Sequence, residues 1–548
     1  MMRQPTVRYG SADPALHATV AQALEWLHRH AAASANLVSD SRAVQAGDVF
    51  VAYVVDGADN RPHILNAIER GAVAVLYQPD GYPASKLEQA NTPALPLAHL
   101  DQLAGPIAAA WYGEPSEALQ LIGITGTNGK TSCSHWIAQA LAAAGVPCAI
   151  VGTLGSGLPG KLVATGFTTP NAPQLQRSLA ELRDAGARAV SMEVSSHALH
   201  QGRVNGVAFD IAVFTNLSQD HLDYHGTLGA YEAAKATLFR WSGLRHAVIN
   251  RDDAAGRRLL KQMRQVQGHV SVIAYGLESG ADAQGQKRGK KSGDAKDHAQ
   301  DQANSKTPGE KHLSASAIHA TPHGTAFTLH SDWGRAEVEV ATLGEFNVSN
   351  LLAVLGALLA ADIPFDVALT QLAALAPVEG RMQRVGGRGQ HSEPLVVIDY
   401  AHTPDALEKT LLALRPVAQQ RGGQLICVFG CGGDRDATKR PLMGAIAERF
   451  ADQVVLTSDN PRSEPAAAII DQIAAGMREP AQARRVEDRA IAILQAIRAA
   501  SLDDLIVLAG KGHEATQEIA GKKRPFSDHD HALLALAARA TQTRGDAE

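Results

Sequence analysis

Short, nearly unbroken apolar runs recur along the chain, and each ends on polar or glycine residues. They occupy residues 119–125, 189–194, 211–216, 395–399, 425–430, 453–458 and 505–510. Runs of this kind suit strands covered on both faces. Segments with helical patterning, such as 132–145, separate them. Alternation of strand and helix predicts an α/β protein built on parallel sheets. In such sheets ligands bind beyond the carboxyl ends of strands. Here those ends carry Asp399, Gly430, Asp459 and Lys511, which directs the search for chemistry.

The pattern divides the chain into three units. A turn-rich stretch at 111–116 closes the first, which spans 1–114. The second spans 115–342, and the third, opening near Leu343, spans 343–548. Residues 278–312 break the pattern, with no aliphatic side chain larger than alanine and no aromatic. Such a stretch cannot bury enough apolar area to offset its ordering entropy, so it reads as a disordered surface insertion. Residues 543–548 read as a frayed tail.

Composition narrows the function classes. The 548 residues are 45% hydrophobic and 20% charged, which excludes a chain disordered throughout. Lys+Arg 51 against Asp+Glu 56 leaves a formal charge of −5 and no basic footprint for a nucleic acid. Four cysteines (Cys133, Cys148, Cys427, Cys431) are too sparse for a disulfide scaffold, and one C-x3-C without a second pair does not make a zinc site. The N-terminus lacks a secretory apolar core. The most apolar helical run, 351–361, falls well short of the roughly 20 residues that cross a bilayer. The expectation is a soluble cytoplasmic protein with no membrane span.

The strongest chemical signal is Gly126-Thr127-Asn128-Gly129-Lys130-Thr131, between a predicted strand and a predicted helix. Glycines let backbone N–H groups approach phosphate oxygens, and the helix N-terminus and Lys130 add positive charge. Thr131 has the hydroxyl that suits a magnesium ion. The spacing departs from the common G-x4-GK[ST], because Ile124 stands where the first glycine would be. Glu193, just past another strand, is placed to meet Mg²⁺ beside phosphates. Residues 216–226 hold His221, Asp223 and His225, which fit a transition-metal site, a magnesium-phosphate site or a structural turn. Lys235, on an amphipathic segment at 231–239, by itself reads as a solvated helix lysine.

Further motifs follow in one order: Thr168-Thr169-Pro170, MEVSSHAL (192–199), NLSQDHLDYHG (216–226), GEFNVSN (344–350), GRMQ (380–383), DYAHTPDAL (399–407), GCGGDRD (430–436), DNPR (459–462) and GKGHE (510–514). With the phosphate loop and the lysine helix, this set resembles the Mur ligase family over nearly the whole chain. The resemblance implies an α/β three-domain architecture with a central P-loop-type parallel sheet and a Rossmann-like C-terminal domain. The N-terminal unit would bind the UDP part of the substrate, the central unit ATP, and a mobile third unit the incoming amino acid.

The implied activity is ATP-dependent addition of meso-2,6-diaminopimelate to UDP-N-acetylmuramoyl-L-alanyl-D-glutamate through an acyl phosphate, in cytoplasmic peptidoglycan precursor synthesis. The implied partners are these small molecules, with no nucleic acid, and the chain is expected to act as a monomer.

The resemblance also implies residue roles. Lys130 matches the phosphate-loop lysine, and Thr131, Glu193 and His221 the magnesium environment. Lys235 matches a lysine carried as a carbamate, an added metal ligand. ATP would meet Gly126, Thr127, Asn128, Gly129, Asn347 and Asn350, then Arg381 and Asp399 on closure. The UDP-muramoyl dipeptide would meet Ser39, Ser41, Thr168, Thr169, Ser195, Gln201 and Arg203. Diaminopimelate would meet Arg435, Asp459, Asn460, Pro461, Arg462, Gly510 and Glu514. Arginine's forked donors suit a carboxylate, and diaminopimelate differs from lysine by an extra one, so Arg462 favours the diacid. A lysine-adding ligase, a folate polyglutamylating ligase of the same superfamily, a nucleotide-hydrolysing switch and a metallohydrolase are the alternatives.

Overall fold

The computed structural model describes residues 14–83, 85–88, 90–265, 270–278, 309–321, 324–387 and 393–545. The first unit holds a parallel sheet in the order Leu37–Val38, Val49–Ala52, Ala74–Tyr77, Ala94–Pro96. Helices Pro14–His30 and Leu100–Trp111 cover one face, with Val20, Leu27, Leu103 and Ile107 packed on Val49, Val51 and Leu76.

The second unit is a ten-stranded sheet among the described residues. Its order runs Arg335–Val340, Thr325–Ser331, Lys311–Ala320, Ser271–Leu277, His246–Asn250, Ile211–Phe214, Gln120–Thr125, Ala189–Glu193, Cys148–Gly152, Gly155–Gly157. The strands from Lys311–Ala320 to Cys148–Gly152 are parallel, and the flanking pairs are antiparallel. Strand periodicity divides each apolar run between two cores. Ile122, Ile124, Ile211 and Val213 face one core, shared with Trp136, Ile137 and Leu141 of helix Lys130–Ala143. Leu121, Val190, Met192, Ala212 and Phe214 face the other, shared with Leu175 and Leu179 of helix Ala172–Asp184.

Helix Glu345–Ala360 corrects the expected boundary at 343. Val348, Leu351, Leu352, Leu355 and Leu358 pack in the core of the second unit, with Val248, Ile273 and Leu313. A Cβ on Gly356 would stand 2.7 Å from Val248 Cγ1, so glycine permits the close approach. Helix Phe365–Ala373 supplies Ala368 and Leu372 to the same core, as do Leu375 and Val378 beyond it. The second unit's core thus ends past 378. The run is apolar all round, which marks burial but not the sheet it is buried against.

The third unit has a six-stranded sheet: Gln383–Gly386, Leu395–Asp399, Leu505–Ala509, Leu425–Phe429, Gln453–Leu456, Arg484–Arg485. Only its first pairing is antiparallel among the described strands. Of the expected insertion, 279–308 lies outside the described residues, while Lys311 and His312 begin a strand. Of the expected tail, Gly545 closes helix Asp528–Gly545, and 546–548 lie outside the described residues. No described helix is long and apolar enough to cross a membrane.

Candidate active site

The phosphate loop leaves a strand in the middle of the large sheet and enters helix Lys130–Ala143. Two glycines are dictated by space and dihedral together. Gly126 has φ +147, and a Cβ there would lie 1.9 Å from Thr215 Oγ1. Gly129 has φ +89, and its Cβ would lie 2.4 Å from Asn350 Oδ1. Asn216 holds the loop, accepting from Thr127 N–H (2.8 Å) and, through Oδ1, from Asn128 N–H (2.9 Å). Lys130 Nζ donates to the carbonyls of Gly126 and Thr127, both at 2.9 Å.

Glu193 ends the neighbouring strand with 1% exposure. It accepts from Thr131 Oγ1 (3.0 Å), Thr153 N–H (2.8 Å) and Thr153 Oγ1 (3.2 Å). From the third unit, Arg381 Nη2 donates to Thr131 Oγ1 at 3.1 Å while its guanidinium lies over the Tyr400 ring. Asn128 Nδ2 likewise donates to Asp405 Oδ2 of the third unit at 3.1 Å. Asn128, Thr131, Thr153, Glu193, Arg381 and Tyr400 line a cavity of about 1000 Å³, together with Thr168, His221, Asn347, Asn350 and Asp399. Asn347 and Asn350 reach it from the helix reassigned to the second unit. Asp399 is tied down by Met382 N–H (2.9 Å) and Thr410 Oγ1 (3.1 Å), and burial raises its pKa.

The donor set fits a hard cation. One buried carboxylate and one hydroxyl oxygen face the phosphate loop, a sparse set that suits Mg²⁺ completing its shell with water and phosphate. Among the described residues no three His, Cys, Asp or Glu side chains converge as a metal cage. His225 is engaged by Ser196 Oγ (3.0 Å) and His221 by Asp220 (3.3 Å).

Lys235 is 2% exposed and does not line the cavity, so it is not the solvated lysine its helix position suggests. It sits behind the loop, with Nζ donating to Gly126 O at 2.7 Å and 4.3 Å from the Tyr231 ring centre. No described carboxylate forms an ion pair with it. Burial first, and the Lys130 charge second, hold its pKa well below the ordinary lysine value, against a smaller opposing pull from Asp220.

Of the expected dipeptide contacts, Thr169, Ser195, Gln201 and Arg203 form a connected cluster outside the main cavity, which Thr168 lines. Thr169 Oγ1 donates to Glu193 O (2.9 Å), and Ser195 N–H donates to Thr169 Oγ1 (3.2 Å). Arg203 donates to Gln201 Oε1 (2.7 Å) and Thr169 O (3.1 Å). Tyr224 joins Gln201 (3.1 Å) to Asp56 of the first unit. Ser39 and Ser41 lie in the first unit: Ser39 O accepts from Asn60, and Ser41 is buried in a turn capped by Asp40.

The expected amino-acid contacts gather at the carboxyl ends of the third sheet, apart from that cavity. Asn460 Nδ2 donates to Glu514 Oε2 (2.7 Å), and fully buried Lys511 donates to Asn460 Oδ1 (3.2 Å) and Glu514 Oε2 (2.9 Å). Gly510, at φ +111, leaves no room for a Cβ, which would stand 2.6 Å from Asp459 Oδ2. Pro461 O lies where a Cβ on Gly433 would fall, at 1.9 Å. Arg462 has φ +54 and donates through Nη1 to Gly433 O at 2.7 Å, while Arg435 is exposed beside it. Sequence reasoning missed Thr153, Arg440 and Glu464, and gave no role to Asp405 although DYAHTPDAL contains it. Each meets a partner distant in sequence.

Residues 124–358 match the Mur ligase middle domain, and 380–512 match the Mur ligase glutamate ligase domain. The chain is 56% identical to the UDP-N-acetylmuramoyl-L-alanyl-D-glutamate–2,6-diaminopimelate ligase of Ralstonia nicotianae, over 95% of this chain and 97% of that one. It is 48% identical to the enzyme of that name from Pseudomonas aeruginosa, over 92% and 95%. A solved structure of a ligase of that name superposes with TM-score 0.60 at 34% identity, covering 92% of this chain and 95% of that one. The MurF ligase of Thermotoga maritima in complex with ADP shares the fold, with TM-score 0.60 at 15% identity over 93% and 99%. With the phosphate loop, its buried acid partner and these likenesses together, the chain belongs to the Mur ligase family.

Proposed function

We propose that this protein is an ATP-dependent ligase that joins meso-2,6-diaminopimelate to the D-glutamyl carboxylate of UDP-N-acetylmuramoyl-L-alanyl-D-glutamate. The observation that carries the reading is the contact of Arg381, Thr131 and Glu193, where a phosphate loop, a buried acid and an arginine of another unit meet in one cavity. The identity to ligases of that name supports the choice of substrates.

A carboxylate is a poor electrophile. The D-glutamyl carboxylate oxygen attacks the γ-phosphorus of ATP, the bond to the β-phosphate oxygen breaks, and ADP leaves. The neutral amine of diaminopimelate then attacks the acyl carbon, loses a proton, and the tetrahedral adduct expels phosphate. The protein's part is to place two anions together and offset their charge. The backbone N–H groups of the loop and the Lys130 ammonium hold the phosphates, and Arg381 adds charge from the third unit. Thr131 and Glu193, with His221 lining the same cavity, would hold Mg²⁺, whose charge would offset that of the phosphates. Approach of the third unit over the second excludes water from the acyl phosphate.

Lys235 is read here as the site of a carbamate. Burial lowers the pKa of its ammonium and so favours the neutral amine, the form that adds to CO₂; the adduct then loses a proton, which would leave an anion beside the loop. The test of the whole reading supplies ATP, Mg²⁺, the UDP-muramoyl dipeptide and either diaminopimelate or lysine. Mass spectrometry should find the diaminopimelate adduct with one ADP per product. ADP release with no adduct would overturn the reading.

A further inference from the structure

The two loops that carry Arg435 and Arg462 are tied together by groups the reaction itself does not use. Arg440 is 1% exposed, which puts it out of reach of substrate. Its guanidinium grips Glu464 with two parallel bonds, Nη1 to Oε2 at 2.7 Å and Nη2 to Oε1 at 2.8 Å. The same head donates to Gln472 Oε1 (2.6 Å) and to Gly432 O (3.0 Å). Glu464 also accepts from Asp434 N–H at 2.6 Å. Asp434 returns the link, accepting from Ser463 Oγ (2.5 Å) and Ser463 N–H (3.2 Å).

The backbone explains why such ties are needed. Asp434, next to Arg435, has φ +53, and Arg462 has φ +54. Aspartate tolerates left-handed backbone, but for arginine it is uncommon and persists where the surroundings hold it. Arg462 is held further by its N–H on Glu518 O (3.0 Å) and by Ala520 N–H on its own carbonyl (2.7 Å). A planar fork on a carboxylate is the most direction-specific tie available.

We propose that Arg440 and Glu464 are positioning residues that fix the separation of Arg435 and Arg462, and so select an amino acid carrying a second carboxylate. This rests on the reading of those two arginines as carboxylate donors given above. Substrate placement rather than chemistry should then suffer when the clasp is loosened.

The experiment compares wild type with Glu464→Gln, Arg440→Lys and Ser463→Ala, each with meso-diaminopimelate and with L-lysine. For the first two variants, KM for diaminopimelate should rise about tenfold or more with kcat nearly kept, and the preference over lysine should fall by a similar factor. KM for ATP should stay put. Ser463→Ala, which removes only one hydroxyl, should shift the same ratio less. An unchanged ratio, or a parallel fall in kcat for both amino acids, overturns the proposal. If a clasp variant fails to fold, Ser463→Ala decides. Wild type forming no diaminopimelate adduct would instead overturn the functional reading.

Discussion

The phosphate loop and the loops proposed to receive the amino acid are built on opposite plans. The phosphate loop is shaped by backbone: Gly126 and Gly129 are squeezed against Thr215 and Asn350, and its contacts run through main-chain groups. The amino-acid loops are shaped by side chains, through the Arg440–Glu464 fork and the Lys511–Asn460–Glu514 net. Phosphate is the same in every nucleotide, so a fixed backbone cradle serves. Choosing one amino acid over another needs charges at set distances, and these must be held by other charges.

Breaking the backbone plan should cost most. Gly126→Ala places a methyl on Thr215 Oγ1 at a φ that alanine avoids, and should lower kcat about 10³-fold, near the upper range for losing preorganised donors. Lys235→Ala should cost about 10²-fold or more, with partial return on adding acetate or bicarbonate. Full activity of the alanine variant would remove the carbamate. In the other region, Arg462→Ala should lower kcat/KM for diaminopimelate by about 10- to 100-fold while sparing lysine, as expected for one charged hydrogen bond. Equal losses would count against the diacid role.

A pH test sharpens the same contrast at smaller size. The Arg440 fork first, and the Asp434 N–H second, hold Glu464 at about 2, below its ordinary 4.5. A carboxyl whose folded pKa is depressed contributes stability above its unfolded value and loses it as pH falls through the folded one. The Tm advantage of wild type over Glu464→Gln should therefore be full above 4.5 and fade toward about 2. An advantage independent of pH would show that the fork does not carry it. The smallest effect belongs to the exposed Arg29–Glu25 pair, whose loss should cost under about 1 kcal/mol and leave kinetics alone.

Much of this was legible in the chain. Apolar runs ending at Thr125, Glu193 and Asp399 foretold parallel strands, because short runs rich in β-branched residues between turn signals suit a sheet buried on both faces. The helix at Glu345–Ala360 was legible as a helix but not as part of the second unit, since an apolar surface on every side does not name its partner. The burial of Lys235 was not legible from its helix, where the spacing fits a solvated face equally well. The Arg440–Glu464 fork joins residues on different loops, and no local pattern marks such a pair.

The central claim is that the D-glutamyl carboxylate is phosphorylated before the amine attacks. The direct test labels that carboxylate with ¹⁸O and examines the phosphate released during turnover. One labelled oxygen in each phosphate is the predicted result. Phosphate that carries none, while adduct accumulates, would contradict the account.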